Sequence, residues 1–130
     1  MNISKWSLWL AAALTALAVT ACGGGSTGNG YGSIAVSNSA AAVAIVTEGL
    51  TQSIANESAR DKCDEDDCEV VLQFEQCGAV SASLNSVGAQ IITASEGGTA
   101  FAAQTSANEA CTKQGGVACA AIPNLPAQCN

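Results

Sequence analysis

The chain has 130 residues, of which 48% are hydrophobic and 12% charged, with a formal net charge of −7 and no histidine. The acidic balance makes nucleic acid and anionic membrane surfaces poor partners. Without histidine, Ser-His, Cys-His and His-metal chemistries are excluded, so we expect neither an enzyme nor a cofactor.

The amino terminus has the pattern of an export signal. Lys5 lies in a short polar start, and an apolar stretch over 6–21 follows it and ends in small residues. This stretch is shorter than the roughly 18 residues expected of a membrane-spanning helix. We therefore predict a cleaved signal peptide over 1–21, followed by a flexible Gly/Ser-rich tether over 22–30.

The cleavage region carries a second signal. Val19-Thr20-Ala21-Cys22 resembles the lipobox of bacterial lipoproteins. The resemblance implies cleavage before Cys22 and attachment of three fatty acyl chains, such as palmitate, to its thiol and its new amino group. Gly23 then resembles the outer-membrane sorting pattern, which implies a lipid anchor in the outer membrane with the domain on the periplasmic side. Each buried methylene contributes about 0.8 kcal/mol, so several chains would make the attachment effectively permanent.

The remaining domain, 31–130, contains an internal repeat. Glu48-Gly49-x-Thr51 recurs as Glu96-Gly97-x-Thr99, and identities at a shift of 48 continue to Cys63 and Cys111. The stretch 32–37 aligns in the same way with 78–83. We therefore predict one domain built from two copies of a unit, with repeat one at 31–76 and repeat two at 77–130.

Each unit is predicted to fold as β-β-α-β. The predicted elements are strands at 32–37, 42–47 and 70–74 with a helix at 52–62, and strands at 78–83, 89–94 and 117–122 with a helix at 100–110. Thr51 and Thr99 are predicted helix N-caps. The last strand is the weakest, since Pro123 and Pro126 stop it. The predicted fold class is α+β, with two pseudo-symmetric repeats that form a mixed or antiparallel sheet with two helices, stapled by disulfides.

Six cysteines follow Cys22, in two matching sets of three. Six cysteines allow fifteen pairings, and the symmetry of the repeat favours one of them: Cys63–Cys68, Cys111–Cys119 and Cys77–Cys129. The first two would join each helix end to the next strand, and the third would join the two units. A zinc site is the rival interpretation. It is disfavoured because the chain lacks histidine and close Cys-x-x-Cys pairs, so we predict no metal.

Several segments together resemble an exported bacterial family, domain of unknown function 4189. The resemblance rests on the strand at 31–37, the helix ending at Cys63, Asp67-Cys68-Glu69-Val70-Val71 and Cys77-Gly78-Ala79-Val80. It covers about residues 31–129. It implies an exported, disulfide-bonded α/β domain with no established catalytic motif, and a link of some such small lipoproteins to the inhibition of rival toxins.

One acidic segment breaks the repeat: Asp64, Glu65, Asp66 and Asp67, between two cysteines, whereas its counterpart at 112–118 is nearly neutral. Three interpretations remain open. The segment is a solvated loop without a task, a low-affinity calcium site, or a recognition patch for a basic protein. Its spacing lacks the glycine and the final glutamate of an EF-hand loop. We take these four acids as the candidate partner-binding residues.

Two classes of function follow from these features. The first is a binding protein that neutralises a protein partner in the periplasm, such as an immunity protein against an envelope-targeting toxin. The second is a structural or envelope-maintenance lipoprotein without a toxin partner. An acid/base pair of Glu48 and Glu96, brought together by a pseudo-twofold axis, is the remaining catalytic hypothesis. We favour a simpler role, since each glutamate precedes a helix start and complements its dipole.

Overall fold

Both predicted units are present in the computed structural model, which describes residues 30–130. The predicted signal peptide, Cys22 and most of the tether lie outside the described residues. Unit one consists of β1 (Tyr31–Ser37), β2 (Ala42–Gly49), α1 (Gln52–Cys63) and β3 (Glu69–Phe74). Unit two consists of β4 (Cys77–Leu84), β5 (Gln90–Gly97), α2 (Ala100–Lys113), β6 (Val117–Ala121) and a short β7 (Gln128–Cys129). The predicted order of elements and the α+β class are confirmed.

The strands form antiparallel pairs only, which confirms the antiparallel alternative of the prediction, and they form two sheets instead of one. Each unit keeps its own strands, in the orders β2-β1-β3 and β5-β4-β6, with β7 also pairing with β4. Consecutive strands joined by short connections pair most readily with each other as antiparallel neighbours. This accounts for the pairs β1–β2 and β4–β5. After the helix, the third strand of each unit pairs with the other edge of β1 or β4, so the first strand lies in the centre of its sheet.

Side chains on the central strands alternate between two faces, one that contacts the other sheet and one that contacts the helix of the same unit. On β1, Ile34 and Val36 belong to an apolar cluster that also contains Val80 from the other sheet. The residues between them face the opposite way, and Ala35 packs with Ala59 of α1. This period of two is the usual one for a strand covered on both faces. The layers therefore run α1, first sheet, second sheet, α2.

Small residues let each helix lie close to its sheet. The buried positions are Ala55, Ala59 and Cys63 on α1, and Ala103, Ala107 and Cys111 on α2. A Cβ on Gly49 would come within 2.8 Å of the Ala55 Cβ, and one on Gly97 would overlap the α2 backbone. The predicted caps are confirmed, since Thr51 and Thr99 each accept a hydrogen bond from a backbone N–H of the first turn. The repeated Gly-x-Thr motif thus sets the start and the approach of each helix.

Phe74 lies between the two units. Its ring is 2% exposed and belongs to the cluster between the sheets. A Cβ on Gly32 or on Gly78 would overlap this ring, from the start of β1 and of β4 respectively. The two glycines are equivalent in the repeat, so one aromatic side chain occupies space that both units leave open.

The third strand differs between the units. β3 pairs with β1 from Gly32 to Val36, whereas β6 pairs only with the far half of β4, and β7 pairs with its start. Between them a turn closes with a hydrogen bond of 3.0 Å from Leu125 N–H to the Ile122 carbonyl. Pro123 and Asn124, the latter with φ 65°, hold the central positions, as a type II turn requires. Proline lacks the N–H that a continuous strand would need, so the strand is interrupted there.

The end of the chain connects the units by hydrogen bonds and not by a disulfide. The Cys77–Cys129 bridge lies within unit two, where it joins β7 to the start of β4, so the prediction that this bridge joins the two units is wrong. The cysteine pairs are Cys63–Cys68, Cys111–Cys119 and Cys77–Cys129, the same pairs that the repeat predicts. Beside the last pair, the buried Asn130 side chain accepts a hydrogen bond of 2.7 Å from Glu48 N–H and donates one to the Phe74 carbonyl. By loop entropy, the bridge of separation 52 contributes about 4 kcal/mol, against about 2 kcal/mol for that of separation 5.

Across residues 30–130, no helix is both long enough and apolar enough to cross a bilayer.

Replacing Phe74 with alanine should lower the free energy of unfolding by about 3–5 kcal/mol, because it opens a cavity that neither unit can fill. The matched control is Phe101→Ala, at a side chain that is 82% exposed. It should change the free energy by less than about 0.5 kcal/mol. Urea denaturation of the oxidised protein measures both.

Gly78→Ala tests the same contact from the other side. It should destabilise the native protein, since its Cβ would lie 2.5 Å from the Phe74 ring. It should cost much less in the Phe74→Ala background, because the obstructing atoms are gone. If Gly78→Ala lowers the free energy of unfolding equally in both backgrounds, Gly78 does not pack against the Phe74 ring.

Candidate functional site

The acidic segment forms a closed loop at the end of α1. Cys63 and Cys68 join its two ends through a disulfide. Asp64 is in the left-handed region at φ 58°, and its N–H donates to the Arg60 carbonyl at 3.2 Å, which ends the helix. In unit two the left-handed position after α2 is a glycine, Gly115, at φ 93°. The loop backbone is therefore held at both ends.

Asp67 is tied to the domain and differs in this from its neighbours. Its carboxylate accepts a hydrogen bond of 2.5 Å from the Ser37 hydroxyl and one of 3.3 Å from Ser39 N–H. The Ser37 hydrogen bond, followed by that of Ser39, holds the pKa of Asp67 below its ordinary value. This carboxylate fastens the turn between β1 and β2 to the loop.

The other three acids are exposed. Within residues 30–130, the side chains of Asp64, Glu65 and Asp66 make no hydrogen bond and no ion pair. The structure therefore divides the four predicted partner-binding residues into three uncommitted carboxylates and one that stabilises the fold.

The calcium interpretation finds no support in the loop geometry. No three acidic or cysteine side chains of the described part of the chain come together in a way that could hold a metal ion. A calcium ion takes six to eight oxygen ligands. The described residues offer no convergent set of carboxylates of the kind that calcium requires.

A second feature is an open cleft of about 610 Å³ where the two units meet. Its polar lining comes from the start of α1, the end of β3, the segment that joins the units and the end of β5: Gln52, Gln73, Glu75, Gln76 and Glu96. The backbone of Gly97 and Gly98 completes the wall. The cleft therefore offers carboxylates and amides, and it opens beside the starts of both helices.

Gln52 has a fixed orientation at this cleft. Its Nε2 donates hydrogen bonds of 3.0 Å to the Gly32 carbonyl and to Asn56 Oδ1. Its Oε1 has no partner among the described residues. Since both bonds use the NH₂ group, the amide can only accept a hydrogen bond from a ligand.

The structure does not bring Glu48 and Glu96 into one cleft. Glu96 lines the cleft, and Glu48 is not among the lining residues. Glu48 has φ 61°, beside a register shift between Tyr31 and Ser33, and its N–H is bound by Asn130. The matching part of β5 pairs regularly with β4. The irregularity in β2 therefore breaks the symmetry on which an acid/base pair would depend.

Sequence reasoning overlooked most of the cleft. Gln73, Glu75 and Gln76 lie where the repeats join, and a joint has no counterpart in the other copy. The available signal was the set of polar residues on either side of Phe74, namely Gln73, Glu75 and Gln76, together with the repeated Glu-Gly-x-Thr motif that contains Glu96.

A comparison with protein families identifies the family of the chain. Residues 31–125 match the model of the family described as Domain of unknown function (DUF4189). The chain belongs to this family. No curated protein and no solved structure shows significant similarity to it. Membership of DUF4189 establishes kinship over nearly the whole described domain and assigns no activity.

The Asp67 hydrogen bonds predict a dependence of stability on pH. Because the folded-state pKa of Asp67 is lowered, its contribution is complete above the ordinary pKa and is lost as the pH falls through the folded value. Asp67→Asn should therefore lower the midpoint of thermal unfolding at about pH 7, and the difference from the native protein should disappear as the pH falls through the lowered folded-state pKa of Asp67.

The matched control for this prediction is Asp66→Asn, the same substitution one residue earlier at a carboxylate with no hydrogen bond. It should leave the pH dependence unchanged. If the unfolding midpoints of Asp67→Asn and the native protein differ by the same amount at every pH, the charge of Asp67 does not contribute to stability.

Proposed function

We propose that this DUF4189 protein is a lipid-anchored binding protein of the bacterial envelope. It is attached to the outer membrane through Cys22, faces the periplasm and binds a basic protein partner, as an immunity protein against an envelope-targeting toxin would. The observation that carries this proposal is the set of three exposed, uncommitted carboxylates of Asp64, Glu65 and Asp66 on a loop closed by a disulfide.

A loop of this kind suits recognition for an energetic reason. Binding costs the ordering of any segment that is flexible beforehand. The Cys63–Cys68 bridge and the Asp67 contacts hold the loop backbone before a partner arrives. The charges presented to a basic surface are therefore preorganised, which reduces that cost.

The charge of the whole domain acts in the same direction. Residues 30–130 contain three basic and eleven acidic residues, so their formal charge is 3 − 11 = −8. A field of this sign accelerates encounter with a cationic protein and weakens as salt screens it. The mechanism is steric occlusion of the partner, with electrostatic steering of the approach.

The tether sets the reach of the proposed protein. Eight residues, 23–30, separate the lipidated cysteine from β1. Fully extended, they span at most about 30 Å. The domain would therefore act on partners close to the membrane surface. The alternative function, envelope maintenance without a toxin partner, shares this anchor and differs only in having no stoichiometric soluble partner.

The anchor is tested by mass. The native protein should begin at Cys22 and carry the added mass of its acyl chains, and it should be found in the membrane fraction. Cys22→Ser should retain the signal peptide and lack acyl mass, whereas Ser26→Ala should behave like the native protein. Intact mass spectrometry of the purified proteins measures this, and an unmodified Cys22 in the native protein would refute the anchor.

The binding function is tested by affinity capture of the full-length lipoprotein from solubilised envelopes. The affinity tag belongs in the tether, since Asn130 at the other end is buried. A stoichiometric basic partner should be recovered at low salt. Its affinity should fall at least about tenfold in the variant Asp64→Asn/Glu65→Gln/Asp66→Asn, because three unscreened charges are removed.

The control for charge alone is Glu48→Gln/Glu57→Gln/Glu109→Gln, which removes three exposed carboxylates outside the loop. It should weaken capture much less. If both triple variants lose the same affinity for the partner, the loop acts only through its contribution to the net charge of the domain. The absence of any stoichiometric partner would favour envelope maintenance.

A further inference from the structure

We propose that the cleft between the two units is the anchor site for a basic side chain, a lysine or arginine of the protein partner. The inference rests on the proposed function and adds a second contact region to it. The exposed acidic loop would steer the partner, and the cleft would hold one of its side chains.

The first support is the distribution of charge over the domain. All three basic residues of the described chain, Arg60, Lys62 and Lys113, lie in the last turns of the two helices. The cleft opens beside the first turns, where Gln52 starts α1 and Gly98 precedes α2. Helices of 12 and 14 residues are about 18 and 21 Å long. The cleft carboxylates, Glu75 and Glu96, therefore have no cationic side chain beside them.

The helix dipoles do not remove this excess of negative charge. Each helix start carries about half a positive charge. The two starts together offset about one of the two carboxylate charges, so the cleft remains negative. One backbone N–H in the first turn of each helix also has a partner already, since Thr51 and Thr99 each accept a hydrogen bond from it.

The second support is the fixed amide of Gln52. Its NH₂ group donates both of its hydrogen bonds within the domain, to the Gly32 carbonyl and to Asn56, so only its oxygen is left for a ligand. Together with Glu75 and Glu96, the cleft offers three acceptor groups from separate elements. An ammonium group donates three hydrogen bonds and a guanidinium five. The lining therefore matches a basic side chain better than an anion or an apolar group.

The third support is the apolar surface beside the cleft. Leu50 and Phe101 are 84% and 82% exposed. Leu50 precedes Gln52 by two residues, and Phe101 follows Gly98 by three. A lysine or arginine carries an aliphatic stem that packs on apolar surface while its charged end is bound. Leu50 and Phe101 are outside the cleft lining itself, and in this proposal they contact the stem or its neighbours in the partner.

The test uses the native lipoprotein in neutral detergent micelles and a defined probe, tetralysine. Its control is tetralysine acetylated on every side-chain amine. Two-dimensional NMR should show saturable shifts at the backbone amides of Gln76, Gly97 and Gly98 with tetralysine only. The variant Glu75→Gln/Glu96→Gln should bind at least about tenfold more weakly, because charge-assisted hydrogen bonds are lost.

The control variant is Glu57→Gln/Glu109→Gln, which removes the same charge from exposed positions on the helices. Its affinity for tetralysine should stay within about twofold of the native value. Equal weakening in the two double variants, or shifts confined to residues 64–67, would overturn the cleft as the anchor site.

The inference and the proposed function fail in different ways. If a stoichiometric partner is captured and Glu75→Gln/Glu96→Gln leaves its affinity unchanged, the cleft is not the anchor and the binding function stands. If no partner is captured and tetralysine still binds at Gly97 and Gly98, the protein-partner function is wrong. The cleft is then a site for basic groups from another source.

Discussion

The contact of Phe74 with the two glycines, Gly32 and Gly78, is the constraint on which the rest of the structure depends. Each unit of this DUF4189 domain covers the outer face of its sheet with its own helix and small residues. The inner faces have only modest aliphatic side chains of their own. One aromatic ring fills the space that both glycines leave. Asn130, next to the Cys77–Cys129 bridge within unit two, forms hydrogen bonds with Glu48 and Phe74 of unit one. Burial of the ring and the Asn130 hydrogen bonds therefore stabilise the same junction.

The candidate binding surfaces lie where the two copies of the unit differ. Unit one ends its helix with an acidic loop, whereas unit two has a neutral counterpart and an interrupted third strand. The joint between the copies adds Glu75 and Gln76 to the cleft, and no equivalent joint exists elsewhere. Symmetry supplies a rigid frame, and the departures from symmetry place the charges. Both candidate surfaces are acidic, and both lie on backbone that disulfides or hydrogen bonds already hold.

Local patterns predicted most of the fold, because they act over a few residues. The Gly-x-Thr motif predicted where each helix begins, through a cap and a close approach that involve only the next turn. The repeat predicted the cysteine pairs, because equivalent cysteines occupy equivalent places. Site residues were harder to predict. Asp67 belonged to the acidic run by composition, and only its distance to Ser37, thirty residues earlier, separates it from its neighbours.

By itself, the sequence determined the elements, their order, the two units and their disulfides, since each follows from spacing or from internal identity. Only the tertiary structure decided that the strands divide into two sheets, that Glu48 and Glu96 lie apart, and that a polar cleft opens at the joint. These features depend on how the units meet in space. A repeat specifies each copy and leaves their mutual packing open, and that packing is decided by side chains such as Phe74 and Asn130, which have no counterpart in the other copy.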